Sequence, residues 1–207
     1  MVSPLWIKIC GLRTPGAIEA AAQGGADAVG FVFHASSPRN LEPAAARELQ
    51  RAVPAGVERV AVFLRPSQAL VDAVLEAIAP DWVQADTADL EVLRLPPGQR
   101  VLPVLRSDWT TSAPLPARCL FESASSGAGE LADWSAAARL ARRTQVVLAG
   151  GLHAANVAQA VRAVQPFGVD VSSGVERERG VKDEQLIREF IRAAREAERG
   201  PAVEESR

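Results

Sequence analysis

The sequence predicts a single-domain α/β barrel, with parallel strands closed into a ring and helices packed outside. Three observations carry this: short, continuously apolar runs, segments of helical period between them, and eight such runs within 207 residues. Strands apolar on both faces belong to a parallel sheet covered by helices. Eight strand–helix units favour closure into a (β/α)8, or TIM, barrel over an open sheet. The chain is short for that architecture, whose usual size is about 250 residues.

The strands are expected at 5–10, 28–33, 57–63, 81–84, 99–104, 118–122, 145–148 and 168–171. Helical stripes lie between several of them. Leu70, Val74, Leu75 and Ile78 form one, Val157, Ala160, Val161 and Val164 a second, and Leu186, Ile187, Phe190, Ile191 and Ala194 a third. Thr14 before Pro15, and Ser67 after Pro66, stand where helix N-caps belong. Residues 106–117 hold Trp109, Pro114 and Pro116 but no stripe, so the fifth helix is expected to be weak or missing. One domain is expected over residues 1–207, with a polar, frayed tail at 200–207.

Composition excludes several classes. With 23 basic and 25 acidic residues the net charge is −2, which leaves no electrostatic footprint for nucleic acid or an anionic membrane surface. The first ten residues show no signal-peptide pattern, and no apolar run approaches the roughly 20 residues of a spanning helix. Cys10 and Cys119 are far apart and form neither a disulfide framework nor a metal-ligand spacing, so a reduced, cytoplasmic protein is expected. The basic residues are nearly all arginine; the only lysines are Lys8 and Lys182. A lysine in such a chain marks either a site where a planar guanidinium does not fit, or chance.

Chemistry in such a barrel sits where strands end and βα loops begin. Period-two alternation turns Trp6, Lys8 and Cys10 inward and Ile7 and Ile9 toward the helices. Cys10 beside Lys8 is then either a base or nucleophile with a lowered pKa, or a small buried apolar residue. Glu122 ends the sixth strand as a rim carboxyl or a solvated loop residue, while Cys119 faces outward as inert packing. The loops after strands seven and eight, Ala149-Gly150-Gly151 and Ser172-Ser173-Gly174, expose backbone N–H groups where this architecture usually holds phosphate. Asp170 shares the inward face of strand eight, next to strand one once the ring closes. A Lys8–Asp170 ion pair is expected there, because an unpaired buried charge is costly.

These motifs, in this order, resemble the phosphoribosylanthranilate isomerase family of tryptophan biosynthesis. The matching stretches begin with Lys8-Ile9-Cys10-Gly11, Gly25-Ala26-Asp27, Gly30-Phe31-Val32-Phe33, Ser37-Pro38-Arg39 and Val60-Ala61-Val62-Phe63. They continue with Leu148-Ala149-Gly150-Gly151-Leu152, Asn156-Val157, Gly168 through Glu176, and Gly180-Val181-Lys182-Asp183. The resemblance implies an Amadori rearrangement of N-(5-phosphoribosyl)anthranilate to 1-(2-carboxyphenylamino)-1-deoxyribulose 5-phosphate. It implies no metal, nucleotide or redox cofactor. The partner is a small phosphoribosyl molecule, and the chain is a monomer or a homodimer.

By the same resemblance Cys10 is the general base, with its thiolate favoured by Lys8, and Arg39 holds the anthranilate carboxylate. Asp170 lies near the anthranilate amine; Gln84 and Lys8 complete the substrate site. Gly150, Gly151, Ser172, Ser173 and Gly174 form the phosphate cradle. Two departures stand out. The family's general acid is an aspartate where this chain has Glu122, whose extra methylene moves the carboxyl by about 1 Å or more. The family's Gln-Leu-His-Gly reads Gln84-Ala85-Asp86-Thr87 here, and the glycine-rich loop after the acid is reduced to Ser126-Gly127-Ala128-Gly129-Glu130. His34 and His153 are expected on the surface. Competing readings are another phosphate-binding barrel isomerase or lyase, and a degenerate barrel that binds phosphoribosyl ligands without turning them over.

Overall fold

The computed structural model describes residues 4–106, 114–123 and 131–199. Eight parallel strands close into a barrel in chain order. They are β1 (Trp6–Cys10), β2 (Ala28–Phe33), β3 (Glu58–Phe63), β4 (Trp82–Asp86), β5 (Arg100–Arg106), β6 (Arg118–Glu122), β7 (Gln145–Leu148) and β8 (Gly168–Val171). Two strands outrun the sequence reading. β4 and β5 continue to Asp86 and Arg106, so two expected loop residues become strand-end side chains.

Among the described residues the helices are α1 (Pro15–Gly24), α2 (Pro43–Leu49), α3 (Gln68–Ile78), α4 (Thr87–Val92), α5 (Trp134–Ala141), α6 (Val157–Val164) and α7 (Glu184–Arg199). None of them lies between β5 and β6, where residues 107–113 fall outside the described residues, as do 124–130 and the tail at 200–207. The caps are where composition put them. Thr14 Oγ1 accepts from the Ala17 amide with Pro15 in the first turn, and Ser67 Oγ accepts from Leu70. The α6 and α7 stripes are buried as expected except Leu186, which is half-buried. In α3 the stripe is rotated slightly: Val71 and Ala77 join Val74 and Ile78 in the core, while Leu70 and Leu75 pack at its margin.

Side-chain alternation sorts the core into two layers. Ile7, Ile9, Val29, Phe31, Cys119 and Val169 face the helices, whereas Trp6, Ala28, Val60, Trp82, Leu102, Leu120 and Val147 fill the barrel. Cys119 is fully buried in the outer layer, and burial pushes its thiol up to about 12, so it is inert packing. At the N-terminal end of the strands, Glu58 Oε2 accepts from the indoles of Trp6 (3.1 Å) and Trp82 (3.0 Å). The Arg118 guanidinium lies over Phe167, 3.9 Å from its ring centre. This closes the barrel's lower end and leaves its opening at the strands' C-terminal ends. After β8 the chain adds a hairpin, β9 (Glu176–Glu178) and β10 (Val181–Lys182), too short to show as periodicity. No helix among the described residues is long and apolar enough to cross a membrane.

Candidate active site

The floor of the opening is built by the seam between β1 and β8. Lys8 and Asp170 are register partners, and Lys8 Nζ lies 2.6 Å from Asp170 Oδ1. Lys8 is 0% exposed. It therefore does not line the cavity itself, whereas its partner Asp170 does. Burial opposes its charge, but the Asp170 carboxylate, with a smaller contribution from the neighbouring Cys10, outweighs that and raises its pKa. Cys10 does line the cavity. Its room comes from Gly30, its register partner on β2, where a Cβ would lie 3.0 Å from the sulfur. Burial raises the Cys10 thiol, and Asp170 adds to this; Lys8 and Lys182 pull the other way without prevailing. Lys8 thus acts in the expected direction, yet desolvation outweighs it.

Opposite Cys10, three strand ends meet. Arg106 on β5 bridges Asp86 Oδ1 on β4 (2.6 Å) and Glu122 Oε1 on β6 (3.3 Å). Glu122 lines the same cavity as Cys10, together with Arg39, Gln84, Asp86, Arg106, Asp170 and Ser172. The cavity measures about 280 Å³. Gln84 is 6% exposed, and its Oε1 finds no donor among the described residues, the kind of buried orphan that a ligand satisfies. Sequence reasoning missed Arg106, because the fifth strand was expected to stop at Val104. It also misplaced His34, which is half-buried on the cavity wall; His153 is exposed as expected. Among the described residues no His, Cys, Asp and Glu side chains cluster as metal ligands.

Arg39 comes from the loop after β2. Its aliphatic stem lies over Gly11, whose φ is +78° and where a Cβ would approach Arg39 Cδ to 2.7 Å. The guanidinium is gripped by Glu176, with Nε to Oε1 at 2.6 Å and Nη2 to Oε2 at 2.8 Å. Glu176 Oε1 also accepts from Lys182 Nζ (2.8 Å), and Oε2 accepts from the Gly180 amide (3.0 Å). Burial works to raise the Glu176 carboxyl, but these donors and the Lys182 charge hold it down at about 2. Lys182 in turn donates to the Ser172 carbonyl (2.8 Å), and Ser172 Oγ donates to the Cys10 carbonyl (3.2 Å).

Gly150, Gly151, Ser172 and Ser173 line a cleft of about 50 Å³ that shares Glu122, Asp170 and Ser172 with the larger cavity. Gly150 and Gly151 have φ of +88° and +63°, a succession that favours glycine. Among the described residues no acceptor takes their N–H groups. Asn156 fixes the turn by donating to the Gly151 carbonyl (2.9 Å) and accepting from the His153 amide (2.9 Å). Gly174 does not line the cleft but carries the turn of β8's loop past β7's, and a Cβ there would collide with the Leu152 carbonyl oxygen. Gly174→Ala is therefore expected to displace the two loops and weaken ribose 5-phosphate binding by about tenfold or more, measured by calorimetry. Unchanged affinity would remove these loops from phosphate recognition.

The family model "N-(5'phosphoribosyl)anthranilate (PRA) isomerase" matches residues 7–193. An N-(5'-phosphoribosyl)anthranilate isomerase of Bordetella pertussis is 41% identical, covering 90% of this chain and 94% of the relative. One of Afipia carboxidovorans is 39% identical, over 95% and 92%. Among solved structures, TrpF from Jonesia denitrificans superposes with a TM-score of 0.77 at 31% identity, covering 93% of this chain and 98% of that one. A phosphoribosyl anthranilate isomerase in complex with reduced 1-(o-carboxyphenylamino)-1-deoxyribulose 5-phosphate gives 0.74 at 28% identity, over 93% and 99%.

Proposed function

Because the chain belongs to the N-(5'-phosphoribosyl)anthranilate isomerase family, we propose that it carries out that family's Amadori rearrangement with Cys10 as general base and Glu122 as general acid. One observation carries this assignment of roles: a thiol and a carboxyl, on β1 and β6, line a single cavity that continues into a cleft of open backbone amides. Acid and base must be separate groups, each within reach of its own proton, and two groups on different strand ends of one cavity support that reading.

The substrate N-(5-phosphoribosyl)anthranilate lies with its phosphate in the Gly150–Gly151 and Ser172–Ser173 cleft and its aromatic ring in the larger cavity. Glu122 donates a proton to the furanose oxygen as the C1′–O bond breaks, leaving an iminium. The Cys10 sulfur then takes the C2′ proton, and the resulting enolamine tautomerises to the ketone. Asp170, on the cavity floor, accepts from the anthranilate N–H. Arg39 offers the carboxylate the edge of its guanidinium that Glu176 does not occupy. Gln84 Oε1 accepts from a sugar hydroxyl. Arg106, 3.3 Å from Glu122 Oε1, holds the longer side chain at the end of β6.

The test is direct. The protein is expected to consume fluorescent N-(5-phosphoribosyl)anthranilate and release the ketose. Glu122→Gln, which keeps the carboxyl's shape but has no acidic proton, is expected to turn over about 100-fold more slowly. Binding of the substrate without consumption would favour the degenerate barrel, and full activity in Glu122→Gln would place the acid elsewhere.

A further inference from the structure

Glu176 has no place in the chemistry above, yet four donors converge on its carboxylate beside the mouth. An ionised carboxylate offers about four lone-pair sites. Arg39 Nε, Arg39 Nη2, Lys182 Nζ and the Gly180 amide account for that number. Its side chain is 4% exposed and does not line the cavity, so it cannot meet a ligand itself. Everything it does must pass through the groups it holds.

What it holds is orientation. A guanidinium presents two edges to a planar anion: the side edge, Nε with Nη2, and the end edge, Nη1 with Nη2. Glu176 occupies the side edge. With the stem fixed against Gly11 and the side edge taken, the end edge is the one that remains for a ligand in the cavity that Arg39 lines. The hairpin that delivers Glu176 is itself seated on Arg39's own loop. At Gly180, φ is +85° and a Cβ would lie 2.9 Å from the Pro38 carbonyl oxygen. Lys182, the second grip on Glu176, also ties down the Ser172 carbonyl at the phosphate end.

We propose that Glu176 is a positioning and specificity-determining residue. By clamping Arg39 side-on, it makes the site demand a carboxylate ortho to the substrate amine, and through Lys182 it holds that clamp in register with the phosphate cradle. This rests on the reading of Arg39 as the carboxylate-binding group.

A pair of inhibitors tests it: the reduced product analogue, and the same compound without its ring carboxylate. In the unaltered protein the ratio of their Ki values is expected to favour the carboxylated compound by ~10–100-fold, as for a charge-assisted bidentate contact. In Arg39→Met and in Glu176→Gln the ratio is expected to fall below about threefold, while affinity for the compound lacking the carboxylate changes little. Glu176→Asp keeps the charge but withdraws the carboxyl. It is expected to lose the same discrimination, and it serves if Glu176→Gln folds poorly. Loss in Arg39→Met with full discrimination in both Glu176 variants would overturn the role of Glu176 and leave Arg39's intact. No loss in Arg39→Met would overturn both. An equal penalty on the two inhibitors in the Glu176 variants would make Glu176 merely structural and overturn the proposal.

Discussion

Cys10→Ala is expected to lower kcat on N-(5-phosphoribosyl)anthranilate by about 10²–10⁴-fold, the range over which a positioned base accelerates proton transfer. The sulfur lines the cavity at the end of β1 among groups that pull on its charge in opposite directions. Burial and Asp170 raise the thiol, while Lys8 and Lys182 lower it, and burial wins. In the proposed mechanism the working base is the thiolate, and a raised pKa makes that form scarcer at neutral pH. The limb of kcat/KM that reports Cys10 is therefore expected to rise with pH above neutrality. Cys10→Ser is expected to be as slow as Cys10→Ala, since a hydroxyl ionises far less readily. A steady-state assay showing Cys10→Ala within tenfold of the unaltered protein would exclude the thiol as base.

Lys8→Met is expected to destabilise the fold by about 3–5 kcal/mol, the cost of breaking a buried ion pair from one side. Asp170 would remain in the floor, 7% exposed, with its 2.6 Å partner gone. Urea unfolding measures this. Adding Asp170→Asn to Lys8→Met is expected to recover part of the loss, because the stranded charge goes with it. The pH dependence has a definite sign. The Lys8 ammonium is raised in the folded state, so its contribution is complete below the ordinary lysine value of 10.5 and is lost only as pH climbs through the raised one. From pH 6 to 9 the stability gap owed to Lys8 should stay flat. A Lys8→Met midpoint within about 1 kcal/mol of the unaltered protein would mean that water or relaxation solvates Asp170 well enough to replace the pair.

The barrel was legible because its signal is local. Each strand spans four to seven residues with apolar side chains predominating, each stripe repeats within one helix, and caps such as Thr14 and Ser67 act over three residues. Inward and outward faces followed from alternation alone, which placed Ile7 and Ile9 outside and Cys10 inside. Even one long-range contact could be inferred, since closing a ring of eight parallel strands makes β1 and β8 neighbours and so brings Lys8 to Asp170. What failed was local as well. Strand ends two residues too early hid Arg106, and His34 looked like a surface residue because nothing nearby in the chain says that it borders the mouth.

The order of residues by itself determined the architecture, the face each strand residue takes, and which strand ends carry a thiol, a carboxyl and small residues suited to phosphate. Only the tertiary structure decided how those groups are charged and held. How far Lys8 can favour the Cys10 thiolate depends on desolvation by the surrounding barrel, which opposes it. Which edge of Arg39 is left unoccupied depends on Glu176, 137 residues away along the chain. Periodicity and propensity act over a few residues, whereas electrostatic balance is a sum over everything a group touches, and that sum exists only after the chain has folded.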